Sequence, residues 1–153
     1  MNICEQAEAF RLLLIMGVVS KPEIIAWADD LIATRDHPPE WLLDVSLAAN
    51  ENDEAIESKL RDLRCDGDRI LAGYSAIDRF AEGFRTGGIP AQTAARMLRH
   101  WAASAKVNQD DWSAAMMPTW IADEIDCGHA SEQDVIASVD TCLAHFAAVR
   151  RAG

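Results

Sequence analysis

The chain has 153 residues, half of them hydrophobic, and such a chain can bury about two-thirds of its unfolded surface, which excludes global disorder. The net charge of −11 disfavours binding to nucleic acid and to anionic membranes, because both repel an acidic protein. It favours a basic partner, although acidity can also serve only to keep a small protein soluble. The five prolines and eight glycines form no linker-like stretch, so we expect a single domain over residues 1–153.

Helix start signals recur along the whole chain. The sequence Ser20-Lys-Pro-Glu23 is typical of a capping box, in which the serine and glutamate side chains bond backbone groups at the start of a helix. Ser131 and Asp134 form a similar pair before the last helix. Pro118 falls inside a predicted helix, where we expect a kink or break because proline lacks an N–H. In chain order, the predicted helices cover residues 4–16, 40–49, 53–65, 69–85, 90–105 and 110–127, besides the two that begin at the Ser20 and Ser131 boxes.

The spacing of apolar residues indicates the fold class. No stretch alternates polar and apolar residues with a period of two, and apolar residues instead recur at helical spacing, as in Val135, Val139, Leu143 and Phe146. We therefore predict an all-α fold, a single compact domain of about seven or eight helices packed as a bundle or as stacked antiparallel hairpins.

The four cysteines, at positions 4, 65, 127 and 142, are scattered and include no CxxC pair. The apolar run over residues 12–19 is too short to span a bilayer, and it follows glutamates rather than the basic segment of a signal peptide. We therefore expect a cytoplasmic protein whose cysteines are reduced and mostly buried.

Acidic residues are concentrated in one part of the chain. Residues 29–68 hold twelve acids and four bases. Such a density of carboxylates suits a basic protein surface, because opposite charges speed association and fix its register, although a charge run can also be a solvated helix face. The residues that we expect to bind a partner are Asp36, Glu40, Trp41, Asp44, Glu51, Asp53, Glu54 and Glu57.

The following interval, residues 69–107, is basic, with six cations and two acids. We expect these cations to pair with acidic neighbours within the protein rather than to bind nucleic acid. They are Arg69, Arg79, Arg85, Arg96, Arg99 and Lys106.

The five tryptophans fall into two groups. Trp27, Trp101 and Trp120 have apolar neighbours at helical spacing and are predicted to lie in the core. Trp41 and Trp112 stand at helix starts beside acids. They are candidates for interface anchors, with packing against the preceding turn as the alternative.

Catalytic, metal-binding and cofactor motifs are not recognisable. Cys127 and His129 supply zinc-type ligands, but Cys142 and His145 lie in the next helix, roughly 16 Å further along its axis, so we expect no metal site. No Gly-x-Ser-x-Gly nucleophile elbow is present. We predict that the protein is not an enzyme and that it uses no cofactor.

Two consecutive segments resemble a known class of proteins. Residues 22–32 (PEIIAWADDLI) and residues 39–47 (PEWLLDVSL) are similar to parts of the small helical immunity proteins of bacterial polymorphic-toxin and contact-dependent inhibition systems. Members of that class are cytoplasmic and often acidic, and they bind a cognate toxin domain, often a nuclease, without activity of their own. The resemblance implies that this chain binds and neutralises a toxin domain with a basic surface. It assigns no individual contact residue.

Two other functions stay open at this point. A helical adaptor or regulatory subunit of a larger complex would have the same composition. A carboxylate-dependent enzyme that uses acids such as Asp123 and Asp126 would need a deep cleft in which those acids converge.

Overall fold

The structure is a computed structural model that describes residues 1–63 and 66–152. Over these residues the chain forms eight α-helices, one short 3-10 helix and no strand, which confirms the predicted all-α class. None of the described helices is both long enough and apolar enough to cross a membrane. The helices are α1 (Ile3–Met16), α2 (Lys21–Ala33), α3 (Glu40–Ser46), α4 (Asp53–Arg61), α5 (Arg69–Arg85), α6 (Ala91–Ser104), α7 (Gln109–Asp123) and α8 (Glu132–Ala152), and the 3-10 helix is Leu47–Asn50.

Both predicted capping boxes are present. The Glu23 carboxylate accepts hydrogen bonds from the Ser20 N–H at 2.8 Å and from the Ser20 hydroxyl at 2.9 Å. These two bonds, with a smaller contribution from Arg79, lower the pKa of Glu23. At the start of α8, Asp134 accepts from the Ser131 N–H at 2.8 Å, and the Ser131 hydroxyl oxygen accepts from the Asp134 N–H. The sequence therefore predicts these two helix starts correctly.

Three helices end three or more residues earlier than predicted. The predicted helix over 40–49 is α3 followed by the 3-10 helix, because the backbone of Ala48 leaves the helical conformation. Helix α4 ends at Arg61, and the last two residues of its predicted range, 64 and 65, lie outside the described residues. Helix α7 ends at Asp123, and the chain continues in turns until Gly128 adopts a left-handed conformation with φ of 73°.

Of the kink or break predicted at Pro118, the break is absent, because α7 runs through this residue as one helix. A proline inside a helix removes one backbone hydrogen bond. The Pro118 ring is buried, however, so its packing offsets part of that cost.

Helix α1 is the central element and contacts α4, α5 and α6. Helices α6, α7 and α8 pack against one another, and α2 packs against α3. Trp101 of α6 is fully buried, and its Nε1 donates to the Gly73 carbonyl of α5 at 3.0 Å. The ring of Trp101 meets that of Phe146 on α8 edge to face, so one side chain joins three helices.

A buried ion network fixes α1 to its neighbours. Arg11 is 6% exposed, and its guanidinium donates to the two oxygens of Glu8 at 2.7 and 2.8 Å. It also donates to Glu57 of α4 at 2.9 Å and to the Ser104 carbonyl of α6 at 3.1 Å. Burial alone would lower the pKa of Arg11, but the hydrogen bonds and charges of Glu8 and Glu57 outweigh it and raise that pKa. The guanidinium therefore stays charged inside the protein.

The prediction of reduced cysteines is wrong for Cys4, which is disulfide-bonded. Wide spacing along the sequence does not reveal which cysteines a fold brings together. Cys127 is free and exposed, Cys142 is free and buried, and Cys65 lies outside the described residues.

Candidate functional site

The seven acids predicted to bind a partner differ in how far the fold already engages them. Glu57 accepts from Arg11 at 2.9 Å and from Arg61 at 3.0 Å, and Glu51 lies 3.3 Å from Lys59. The other five are exposed and form no ion pair within the described part of the chain. These five are Asp36, Glu40, Asp44, Asp53 and Glu54. The carboxylates available to a partner are therefore these five rather than all seven.

Two of the free acids share a helix face with exposed leucines. A spacing of i, i+3, i+4, i+7 places side chains on one side of a helix. This spacing is found in Glu40, Leu43, Asp44 and Leu47. Leu43 is 41% exposed and Leu47 is 81% exposed. The opposite side of the same segment packs into the core through Leu42, Val45 and Ala48. We call the outward-facing set, Glu40, Leu43, Asp44 and Leu47, the α3 surface.

The leucines of the α3 surface were missed in the sequence prediction, which selected only the neighbouring acids and Trp41. The sequence does contain a signal for their exposure: the segment is apolar on two faces, and two faces of one short helix cannot both enter the core. Exposed leucines beside carboxylates suit an interface in which the apolar side chains become buried and the charges orient the partner.

Trp41 lies on the inner side of this region rather than at its surface. It is half-buried, and its ring centroid is 6.4 Å from that of Trp27, which packs in turn against Phe10 at 4.9 Å. The Trp27 Nε1 donates to the Gln6 side chain at 3.1 Å. The structure therefore places Trp41 in packing between α2 and α3, where it supports the α3 surface from behind.

Trp120 departs from its prediction as a core residue and is 44% exposed. The buried side of α7 is defined by Asp111, Ala115 and Thr119, and Trp120 points away from it. Its ring packs edge to face against Trp112, with centroids 6.1 Å apart. Trp101, by contrast, is fully buried as predicted.

The cations of the basic interval are mostly free, against expectation. Arg79 pairs with Glu23 at 2.9 Å, and it is the one member of the six that contacts an acid within the described residues. The other five are exposed. These five are Arg69, Arg85, Arg96, Arg99 and Lys106. Most of the acidic residues over 29–68 are therefore not neutralised by these cations within the described residues.

A buried polar cluster was not predicted from the sequence. Asp111 of α7 is 1% exposed and accepts hydrogen bonds from the Tyr74 hydroxyl at 2.7 Å and from the Asn108 amide at 3.0 Å. His145 Nε2 lies 2.7 Å from the other Asp111 oxygen. The position of Asp111 four residues before Ala115 on the buried side of α7 was the one sequence signal for its burial.

In this cluster an aspartate contacts a histidine, as in enzymes whose aspartate orients a histidine base. Such an enzyme site also requires a nucleophile. Cys142 is the nearest thiol along α8. Burial and the charge of Asp111 raise the pKa of Cys142 to about 12, so this thiol stays protonated at neutral pH and is a poor nucleophile. Every side chain of the cluster is accounted for by the links that it makes between α5, α7 and α8.

The single tyrosine of the chain gives a direct test of this cluster. Burial, the hydrogen bond to Asp111 and the nearby negative charges raise the pKa of Tyr74 to about 12. Titration followed by tyrosinate absorbance should give that value in the native protein and a lower value in the Asp111→Asn variant, in which burial alone still keeps the pKa above about 10. Because the folded pKa exceeds the unfolded one, the stability that Tyr74 contributes is complete below pH ~10 and is lost as the pH rises towards ~12. A native titration near the ordinary value would contradict the geometry.

The acids of the enzyme alternative, Asp123 and Asp126, lie beside a groove between α6 and α7. The groove has a volume of about 300 Å³ and is also lined by Arg96 and Arg99. Carboxylates and guanidinium groups therefore line the same open groove, which differs from a deep cleft lined with convergent carboxylates. Among the described residues, no group of three or more His, Cys, Asp or Glu side chains is placed to hold a metal ion.

Comparisons with protein-family models, with curated proteins and with solved structures find no match for this chain.

Proposed function

We propose that this protein binds and neutralises a protein toxin domain that has a basic surface. In the class of immunity proteins that this sequence resembles, the toxin domain is often a nuclease. The observation that supports the proposal most directly is the α3 surface, where Leu43 and Leu47 are exposed near Glu40 and Asp44. An apolar anchor flanked by unpaired carboxylates suits a partner that has an apolar depression with basic side chains around it.

A nuclease is a suitable partner on electrostatic grounds. Its active site must attract phosphates and therefore carries a basic groove. An acidic protein that covers this groove excludes the substrate without any chemistry of its own. The complex should form quickly at low salt and more slowly as salt screens the charges.

The proposal includes a cytoplasmic location, where a toxin that has entered or has just been made must be neutralised. The disulfide at Cys4 stands against this location, because disulfides are uncommon in reducing compartments. Alkylation of the protein in intact cells, followed by mass spectrometry, would show whether Cys4 is oxidised there.

Co-expression with the product of the adjacent upstream gene tests the proposal. We expect the two proteins to co-purify and expect this chain to restore growth to cells that make the upstream product. A soluble, toxic upstream product that neither binds this chain nor is neutralised by it would contradict the proposal. Binding to an upstream product that is harmless alone would favour the adaptor function instead.

A further inference from the structure

A second feature of the acidic region is an open groove where α4 meets α1. It is lined by Leu14 and Ile15 of α1 and by Asp53, Glu54 and Glu57 of α4, and almost all of its exposed lining atoms are apolar. The volume is about 340 Å³, within the range of sites that hold a small molecule or a side chain.

The charges of these acids are not all balanced within the protein. Both Glu57 oxygens are occupied, one by Arg11 at 2.9 Å and the other by Arg61 at 3.0 Å. Asp53 and Glu54 are exposed and form no ion pair in the described part of the chain. An occupant of the groove therefore meets an apolar surface, and two of the residues that line it, Asp53 and Glu54, carry unpaired carboxylates.

We infer that this groove binds an arginine side chain presented by a basic protein partner. The aliphatic stem of arginine packs against Leu14 and Ile15, and its guanidinium donates hydrogen bonds to Asp53 and Glu54. Side chains with an apolar stem and a cationic head bind in this way, with the stem on apolar surface and the head at a polar edge. Arginine fits better than lysine, because its flat guanidinium is weakly hydrated and has donors for two carboxylates at once.

The helix itself explains only part of this arrangement. Acids in the first turn stabilise a helix N-terminus, and Asp53 and Glu54 occupy the first turn of α4. That role requires neither an apolar surface beside the acids nor a position facing α1. The groove adds an apolar surface, which favours a cation with an aliphatic stem over a cation without one. The inference rests on the proposed function only for the source of the arginine.

Short peptides test the groove without the natural partner. The probe is acetyl-Gly-Arg-Gly-amide, titrated into the isotope-labelled full-length protein while backbone amides and methyl groups are followed by NMR. We expect saturable shifts at the Ile15 and Leu14 methyl groups and at the Asp53 and Glu54 amides. The same peptide with citrulline, which is uncharged, or with lysine should bind more weakly, by about tenfold or more for citrulline.

Paired variants give the control. The double variant D53N/E54Q should weaken binding of the arginine peptide by about tenfold or more. The double variant D30N/E82Q removes the same charge from exposed acids on α2 and α5, and should change binding by less than about twofold. Absence of saturable shifts at the groove overturns the inference, as do equal binding of the citrulline or lysine peptide and equal losses in the two double variants.

These outcomes separate the groove from the proposed function. If the upstream gene product binds the wild type and D53N/E54Q equally, the groove does not hold its arginine and the inference fails while the proposed function stands. If the peptide binds as expected but the upstream product neither binds nor is neutralised, the groove stands and the proposed function fails.

Discussion

Replacement of Arg11 by methionine is expected to lower the free energy of unfolding by about 3–5 kcal/mol, the cost of breaking a buried ion pair by removing one partner. Among the described residues, Arg11 is the cation that pairs with Glu8, which is 7% exposed, so its loss removes the counter-charge of a buried carboxylate. Glu57 is affected less because it retains Arg61. Urea denaturation at neutral pH measures the change.

Two further variants separate the buried charge from packing. Arg61→Met removes a cation that is 54% exposed and should cost less than about 1 kcal/mol. The double variant E8M/R11M removes both buried charges and should recover most of the stability that R11M loses, because apolar groups of similar size can replace a buried ion pair. A loss below about 1 kcal/mol for R11M would show that Arg11 does not stabilise the centre of the fold.

Replacement of Leu47 by aspartate is expected to weaken binding of the cognate partner by about 2 kcal/mol or more, roughly thirtyfold in Kd. Leu47 is the most exposed large apolar residue described, and aspartate keeps the surface acidic while it removes the anchor. The unfolding free energy should change by less than about 0.5 kcal/mol, since the side chain is 81% exposed. Isothermal calorimetry with the purified partner gives the affinity.

Ile70 provides a matched control for this substitution. It is 50% exposed at the start of α5 and lies outside the α3 surface. Ile70→Asp should leave Kd within about twofold of the wild type. Equal losses of affinity in the two variants would show that added negative charge, rather than the loss of the Leu47 anchor, is responsible.

The helix pattern was predictable from the sequence because its signals are local. Ser20 with Glu23 and Ser131 with Asp134 act within one helical turn, so their bonds do not depend on the rest of the fold. The end of α3 at the 3-10 helix and the passage of α7 through Pro118 depend on packing against other helices. No local signal reports those contacts.

The charges of the candidate site were predictable from the sequence, but its exposed leucines were not. Asp36, Glu40 and Asp44 are exposed, as their charge and spacing predict, whereas the engagement of Glu57 depends on Arg11, which lies 46 residues away in the sequence. The exposure of Leu47 follows only once the opposite side of its segment is known to fill the core. Burial of Asp111 likewise depends on partners from α5 and α8.

We propose that this protein contacts its partner through the α3 surface. Hydrogen exchange of the free protein and of its complex with the upstream gene product locates the contact. We expect slower exchange in the complex over residues 40–50, which include α3 and the 3-10 helix. Unchanged exchange over residues 40–50, with protection confined to another face such as the one formed by α6 and α7, would contradict this proposal.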